Sequence, residues 1–273
     1  MAASRVTTAG RRPLRLGRLV LWGVNSLVCL FLLAPILVVI VASFSRDAYL
    51  AFPPKGLSLR WYQEFLRSRD FVNSLVLSVR LGAAATAIAT VVGLLASLAL
   101  TARRFRGAGT VRGILTAPLT VPGIVIGIAM LIYFSRAGLG GSFASLLAAH
   151  VVLVLPFVVL IVSSGLQAFD RSIEEAARSL GAGRVTAFLT VTLPQIKGSV
   201  LAAAVFAFIT SFDEVVVTLF LAGPRMMTLP VRIFQYIEYN SDPLVAAVST
   251  VLVALTVGVV LVVDRVVGFS RLF

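Results

Sequence analysis

The stretch LVLWGVNSLVCLFLLAPILVVIVASFS, residues 19–45, carries no charged side chain in 27 positions. A helix crosses the hydrocarbon core of a bilayer with about 20 apolar residues. The apolar part of a secretory leader runs only about 7–15. Although Arg5, Arg11, Arg12, Arg15 and Arg18 precede the run as they would in a leader, its length predicts a membrane helix that is retained. Cys29 lies inside it and is the one cysteine of the chain, so no intrachain disulfide can form. It is read as a small buried side chain.

Working outward, five further spans are expected. They are Leu81–Ala102 (begun earlier, near Phe71), Gly113–Ser135, one within Ala137–Phe169, one starting near Ser199 and interrupted by Asp213 and Glu214, and Pro243–Val263. The 273 residues support this count. Hydrophobic residues make up 59% and mean hydropathy is +1.02. Charged residues are 13%, about half of the roughly 25% usual in soluble domains. Such a chain has too much apolar surface to hide from water, which excludes a cytosolic enzyme, a disulfide-stapled secreted domain and a disordered segment. The fold class read from sequence is an all-α integral membrane protein with six transmembrane helices.

The net charge is +13 and the pI about 11.4. In a soluble protein this excess would point to nucleic acid. Here the basic residues flank apolar spans, so no nucleic-acid partner is expected. With the N-terminus inside, the inner segments hold 15 Lys and Arg and the outer ones 8, which predicts both termini in the cytoplasm. Residues 1–18 then form a basic cytoplasmic N-terminus, 19–264 a permeation domain and 265–273 a cytoplasmic tail. The first outer loop is as basic as the N-terminus, but its positives mix with Asp47, Glu64 and Asp70. Trp61, Tyr62 and Phe65 there suggest a short helix at the outer interface.

The loop 170–198 is the longest inner one. Ser172-Ile173-Glu174-Glu175 fits a capping box. Ile173, Ala176, Ala177 and Leu180 then fall on one helical stripe. Gly181 and Gly183 are expected to end that helix in the left-handed conformation. Val185, Phe188 and Leu189 begin a second stripe, and Pro194 suits the first turn of the fifth span. The loop reads as two short amphipathic helices with a narrow, alanine-lined apolar edge. From the residues alone they either lie flat on the membrane or meet a partner.

Glu175-Ala176-Ala177, three residues, Gly181, nine residues and Val191-Thr192-Leu193-Pro194 resemble the cytoplasmic E-A-A-x3-G-x9-I-x-L-P motif of type I ABC importer permeases, with Val in place of Ile. Trp61-Tyr62, Ser211-Phe212-Asp213-Glu214 and Leu229-Pro230-Val231-Arg232-Ile233 are similar to the spermidine/putrescine-type subfamily. The resemblance, from about Trp61 to Asp264, implies a bacterial inner-membrane permease with a second permease subunit, two cytoplasmic ATPase subunits and an external solute-binding protein. It implies an ATPase contact at Glu174, Glu175, Ala176, Ala177, Leu180, Gly181, Leu193 and Pro194. ATP and Mg would sit on the ATPases, with no cofactor on this chain. The sequence contains no phosphate-binding G-x-x-x-x-G-K-[ST] loop and a single histidine, His150, so no catalytic or metal cluster is expected.

Asp213 and Glu214 are costly within a bilayer, about 2.5–3.5 kcal/mol each at its centre. Either they draw a cationic solute along a path with Phe208 and Phe212, or they are structural, paired with Arg80 or Arg225 or placed at a helix end. Polyamine import is the expected function. The same machine carrying a metal ion or thiamine, and a self-contained secondary transporter or channel, are its rivals. His150 is read as a hydrogen-bonded interior residue. Gly123 and Gly127 form a small-x-x-x-small pair that lets helices touch.

Overall fold

A computed structural model describes residues 15–102, 107–224 and 226–267. Arg5, Arg11, Arg12, Arg103, Arg104, Arg106, Arg225 and Arg271, with most of the expected N-terminus and tail, lie outside the described residues.

Every regular element among the described residues is a helix, and none is a β-strand. Among the described residues five helices are long and apolar enough to span a membrane, and six if a bent pair counts as one span. Helix α1 (Arg15–Ser43) leads through a loop into the short α2 (Arg60–Arg67) and then α3 (Arg69–Thr101). Helices α4 (Ala108–Thr116) and α5 (Gly123–Arg136) precede α6 (Phe143–Ala168). Then come α7 (Arg171–Ser179), α8 (Arg184–Ala187), α9 (Leu193–Phe212), α10 (Val216–Leu221), α11 (Leu229–Tyr239) and α12 (Leu244–Val267).

The centre is the bundle of α3, α6 and α9. Helix α3 buries Gly82, Ala85, Ala89, Gly93 and Ser97, a row of small side chains at spacings of three and four that lets its neighbours come close. Phe208 of α9 rests over Gly82, where a Cβ would lie 3.2 Å from the ring. Val158 of α6 rests over Gly93, where a Cβ would lie 2.6 Å from its Cγ1. The Ser97 hydroxyl donates to the Val159 carbonyl at 3.2 Å. Gly93→Ala should therefore force α3 and α6 apart and destabilise the bundle by about 1–3 kcal/mol, the usual cost of overpacking. A lower thermal midpoint of the detergent-solubilised protein checks it, with Ala85→Gly as the cavity-forming control.

Helix α1 packs on α12 and leaves most of its apolar surface exposed. Cys29 is therefore exposed, not buried as expected, because an outer span has only one packed edge. Helix α2 forms as predicted and buries Trp61 and Phe65 against Phe71, Leu229 and Leu244. Between α11 and α12 Tyr236 donates to Asp242 at 2.7 Å, and Asp242 accepts the Leu244 N–H at 3.0 Å, which fixes the start of α12.

Two predicted spans are broken. Gly113–Ser135 is not one straight helix: Ala108–Leu119 and Gly123–Arg136 meet at 98°. Pro118 and Pro122 lack N–H groups and cannot donate to a helical ladder. Apolar composition on both sides of the bend conceals it. Span 5 begins earlier than Ser199, at Leu193, and stops at Phe212. A new short helix, α10, starts at Val216. The C-terminal pieces of the two broken spans, α5 and α10, pack on each other. Gly123 and Gly127 of α5 face Val216 and Phe220 of α10, and a Cβ on Gly127 would lie 2.5 Å from the Phe220 ring. The small-residue pair thus has a specific partner.

Candidate coupling loop and translocation path

Helix α7 starts earlier than the Ser172 box predicts. Asp170 is the N-cap, its carboxylate accepting the Ser172 N–H at 3.0 Å. Aspartate caps as well as serine and adds a negative charge at the positive helix end. The Ser172 bonds hold the Asp170 carboxyl below its ordinary range. Its stabilising effect is present above the unfolded pKa and lost as the pH falls through the lowered one.

The end of α7 follows a Schellman pattern. Gly181 N–H donates to the Arg178 carbonyl and Ala182 N–H to the Ala177 carbonyl, both at 3.1 Å. These satisfy carbonyls that the last turn leaves open. Gly181 has φ +96°, while Gly183 has φ −64°, so only the first of the two glycines is needed for its backbone. The next piece does not stop before span 5. Residues Phe188–Thr192 form a π-helical turn that joins α8 to α9 without a break. Pro194 sits in the first turn of α9. It cannot bond the Thr190 carbonyl and its ring crowds that carbonyl, so a wider turn fits just before it.

Two side chains tie the loop to the bundle. Glu174 accepts the Thr192 hydroxyl at 2.8 Å, joining α7 to the base of α9. Arg171 donates to the Thr101 carbonyl at the C-terminal end of α3. Neither partner was legible in the sequence, where Thr192 is only the variable position of the motif. Leu193 is half-buried against the central bundle. Glu175, Ala176, Gly181 and Pro194 are exposed and Ala177 is half-buried. Ile173, Val185 and Leu189 are exposed, and Leu180 is 90% exposed. The loop thus presents an apolar edge that nothing in this chain covers among the described residues.

The acidic pair lies at the break between α9 and α10. Phe212 is 1% exposed and stacks on Phe208, ring centroids 5.6 Å apart. Phe212, expected beside a path, is buried in this chain, because the α9 face that carries it turns into the bundle. Phe208 is half-buried. Glu214 accepts the Val217 N–H at 2.7 Å and so holds the first turn of α10. Asp213 is exposed. No ion pair joins either acid to Arg80 among the described residues, where the one salt bridge is Arg232–Asp70 at 3.6 Å. Arg80 is exposed and lines a cleft of about 500 Å3 with Asp70, Asn73 and Arg232.

His150 of α6 is 1% exposed. Its Nδ1 shares a hydrogen bond with the Ser211 hydroxyl at 2.8 Å and its Nε2 with the Thr218 hydroxyl at 2.9 Å. It is an interior, fully bonded histidine, as expected. Its partners were not foreseen, since serine and threonine are too common in apolar helices to single out.

The profile of the family described as "Binding-protein-dependent transport system inner membrane component" matches residues 89–270. The spermidine/putrescine transport system permease protein PotC of Haemophilus influenzae is 34% identical over 230 residues, covering 84% of this chain and 89% of that one. The putrescine transport system permease protein PotI of Escherichia coli is 32% identical over 237 residues, 84% of each chain. Among solved structures, a bacterial ABC transporter involved in import of the acidic polysaccharide alginate superposes with a TM-score of 0.71 at 17% identity, covering 92% of this chain and 95% of that one. This last likeness concerns the fold alone.

Proposed function

The chain belongs to the binding-protein-dependent transport system inner membrane components, and from that membership we propose that it is one permease of an ATP-driven polyamine importer. It is a transport subunit of the inner membrane and not an enzyme. In this reading it pairs with a second permease, receives solute from an external binding protein and is driven by two cytoplasmic ATPase subunits that hold ATP and Mg. Both termini lie in the cytoplasm, on the side of the loop 170–198.

The observation that carries the reading is the double anchorage of that loop. A short helix with an uncovered apolar edge is bonded to the inner ends of α3 and α9 through Arg171 and Glu174. A partner that seats Leu180 and Ile173 in a groove and then moves would pull both helices of the central bundle together. Glu175, Ala176, Ala177 and Gly181 form the close-approach face of that contact, and Leu193 and Pro194 its base on α9. The acid exposed at the α9–α10 break, Asp213, would attract a cation entering from outside, beside Phe208. The relatives over most of the chain carry spermidine and putrescine in their names, which supports a polyamine as that cation.

Uptake of labelled spermidine by the complete reconstituted complex tests the substrate. Unlabelled putrescine should compete, whereas thiamine, divalent cations and an uncharged sugar should not. Competition by thiamine or a metal ion with none by putrescine would keep the machine and replace its cargo.

A further inference from the structure

We infer that His150 is a positioning residue that fixes the direction of the Asp213 carboxylate by clamping both sides of the break in span 5. The inference rests on the reading of Asp213 as part of the path. Helix α9 ends at Phe212 and α10 begins at Val216, so three residues connect two helix ends. One rigid ring bonds Ser211 before the break and Thr218 after it. All three side chains are buried, Ser211 at 4% and Thr218 at 0% exposure.

Packing alone does not require this arrangement. Buried serine and threonine hydroxyls in helices commonly bond the carbonyl four residues back, and a leucine could fill the space of the imidazole. Here both hydroxyls turn to the same histidine instead. A neutral imidazole offers one donor and one acceptor nitrogen, and a hydroxyl can serve either, so the clamp closes in both tautomers. Glu214 is already bound to the Val217 N–H and Phe212 is locked against Phe208. Within the break, Asp213 is the exposed acid whose aim the clamp then sets.

The two ring nitrogens can be separated by substitution. Asparagine places its amide near the Nδ1 position and can keep Ser211. Glutamine places its amide near the Nε2 position and can keep Thr218. Thr218→Val and Ser211→Ala remove one bond each with almost no change in volume, which guards against misfolding of a bulkier variant.

The test is spermidine uptake by the complete reconstituted complex, with His150→Leu, Ser211→Ala and Thr218→Val each made alone and with Asp213→Asn. We expect each single variant to raise the KM for spermidine about fivefold or more, with the maximal rate per assembled complex little changed. In the Asp213→Asn background the same changes should add nothing, since interacting residues are non-additive. His150→Gln and His150→Asn should fall between wild type and His150→Leu. Equal losses of Thr218→Val in both backgrounds would overturn the inference and leave the path reading standing. An unchanged KM in both Thr218→Val and Ser211→Ala would overturn it too. Unchanged uptake in Asp213→Asn alone would overturn both.

Discussion

Gly181→Val should abolish ATP-driven uptake, while Gly181→Asn should retain much of it. At φ +96° a residue with a Cβ pays about 1–2 kcal/mol for the left-handed backbone, and a β-branched one pays more. Asparagine visits this region far more readily. The space around Gly181 is empty, with nothing within 4 Å of a Cβ, so contact cannot explain a loss within this chain. The strain instead breaks the paired bonds from Gly181 and Ala182 to Arg178 and Ala177. Helix α7 then loses its end, and Leu180 its place beside the turn. Uptake and ATPase co-purification should both decline in the order Gly, Asn, Ala, Val. Equal behaviour of the Asn and Val variants would mean that the backbone of this turn is not what matters.

The second large effect is expected at Asp213. Hydrogen bonds to charged groups are worth about 1.5–3 kcal/mol, so Asp213→Asn should reduce polyamine uptake by about tenfold or more. Binding of spermidine by the external protein should not change. Glu214→Gln should behave differently. Its carboxylate holds the Val217 N–H, and an amide oxygen can still accept that bond, so the loss of uptake should be several-fold smaller than at Asp213. Glu214→Ala should lower the thermal midpoint, because it uncaps α10. If Glu214→Gln proves the more damaging for uptake, the roles of the two acids are reversed.

The legible part of the fold was the part written in long-range composition. Runs such as 19–45 and 137–169 have few alternatives to a membrane helix. The helix end at Gly181 was equally clear, because a left-handed residue there favours glycine. What stayed hidden depends on direction. An apolar run does not reveal the 98° bend near Pro122, since both arms are apolar. Nor does it show that α1 has one packed edge and leaves Cys29 outside. The cap moved from Ser172 to Asp170 because two good capping residues stood two positions apart. For the acids, the sequence left both a path and a structural role open. The structure bonds Glu214 to the first turn of α10 and leaves Asp213 exposed. The partners of Glu174, Arg171 and His150 come from other helices, at separations of 18, 70, 61 and 68 residues, where no local pattern reaches.

Flux across vesicles tests most directly whether the inner-face loop transmits the work of a separate motor. Spermidine uptake should appear when this chain is reconstituted with its second permease, ATPase subunits and binding protein and ATP is supplied on the side of loop 170–198. It should vanish when the ATPase subunits are left out. Spermidine flux through this chain alone, without nucleotide, would contradict the account.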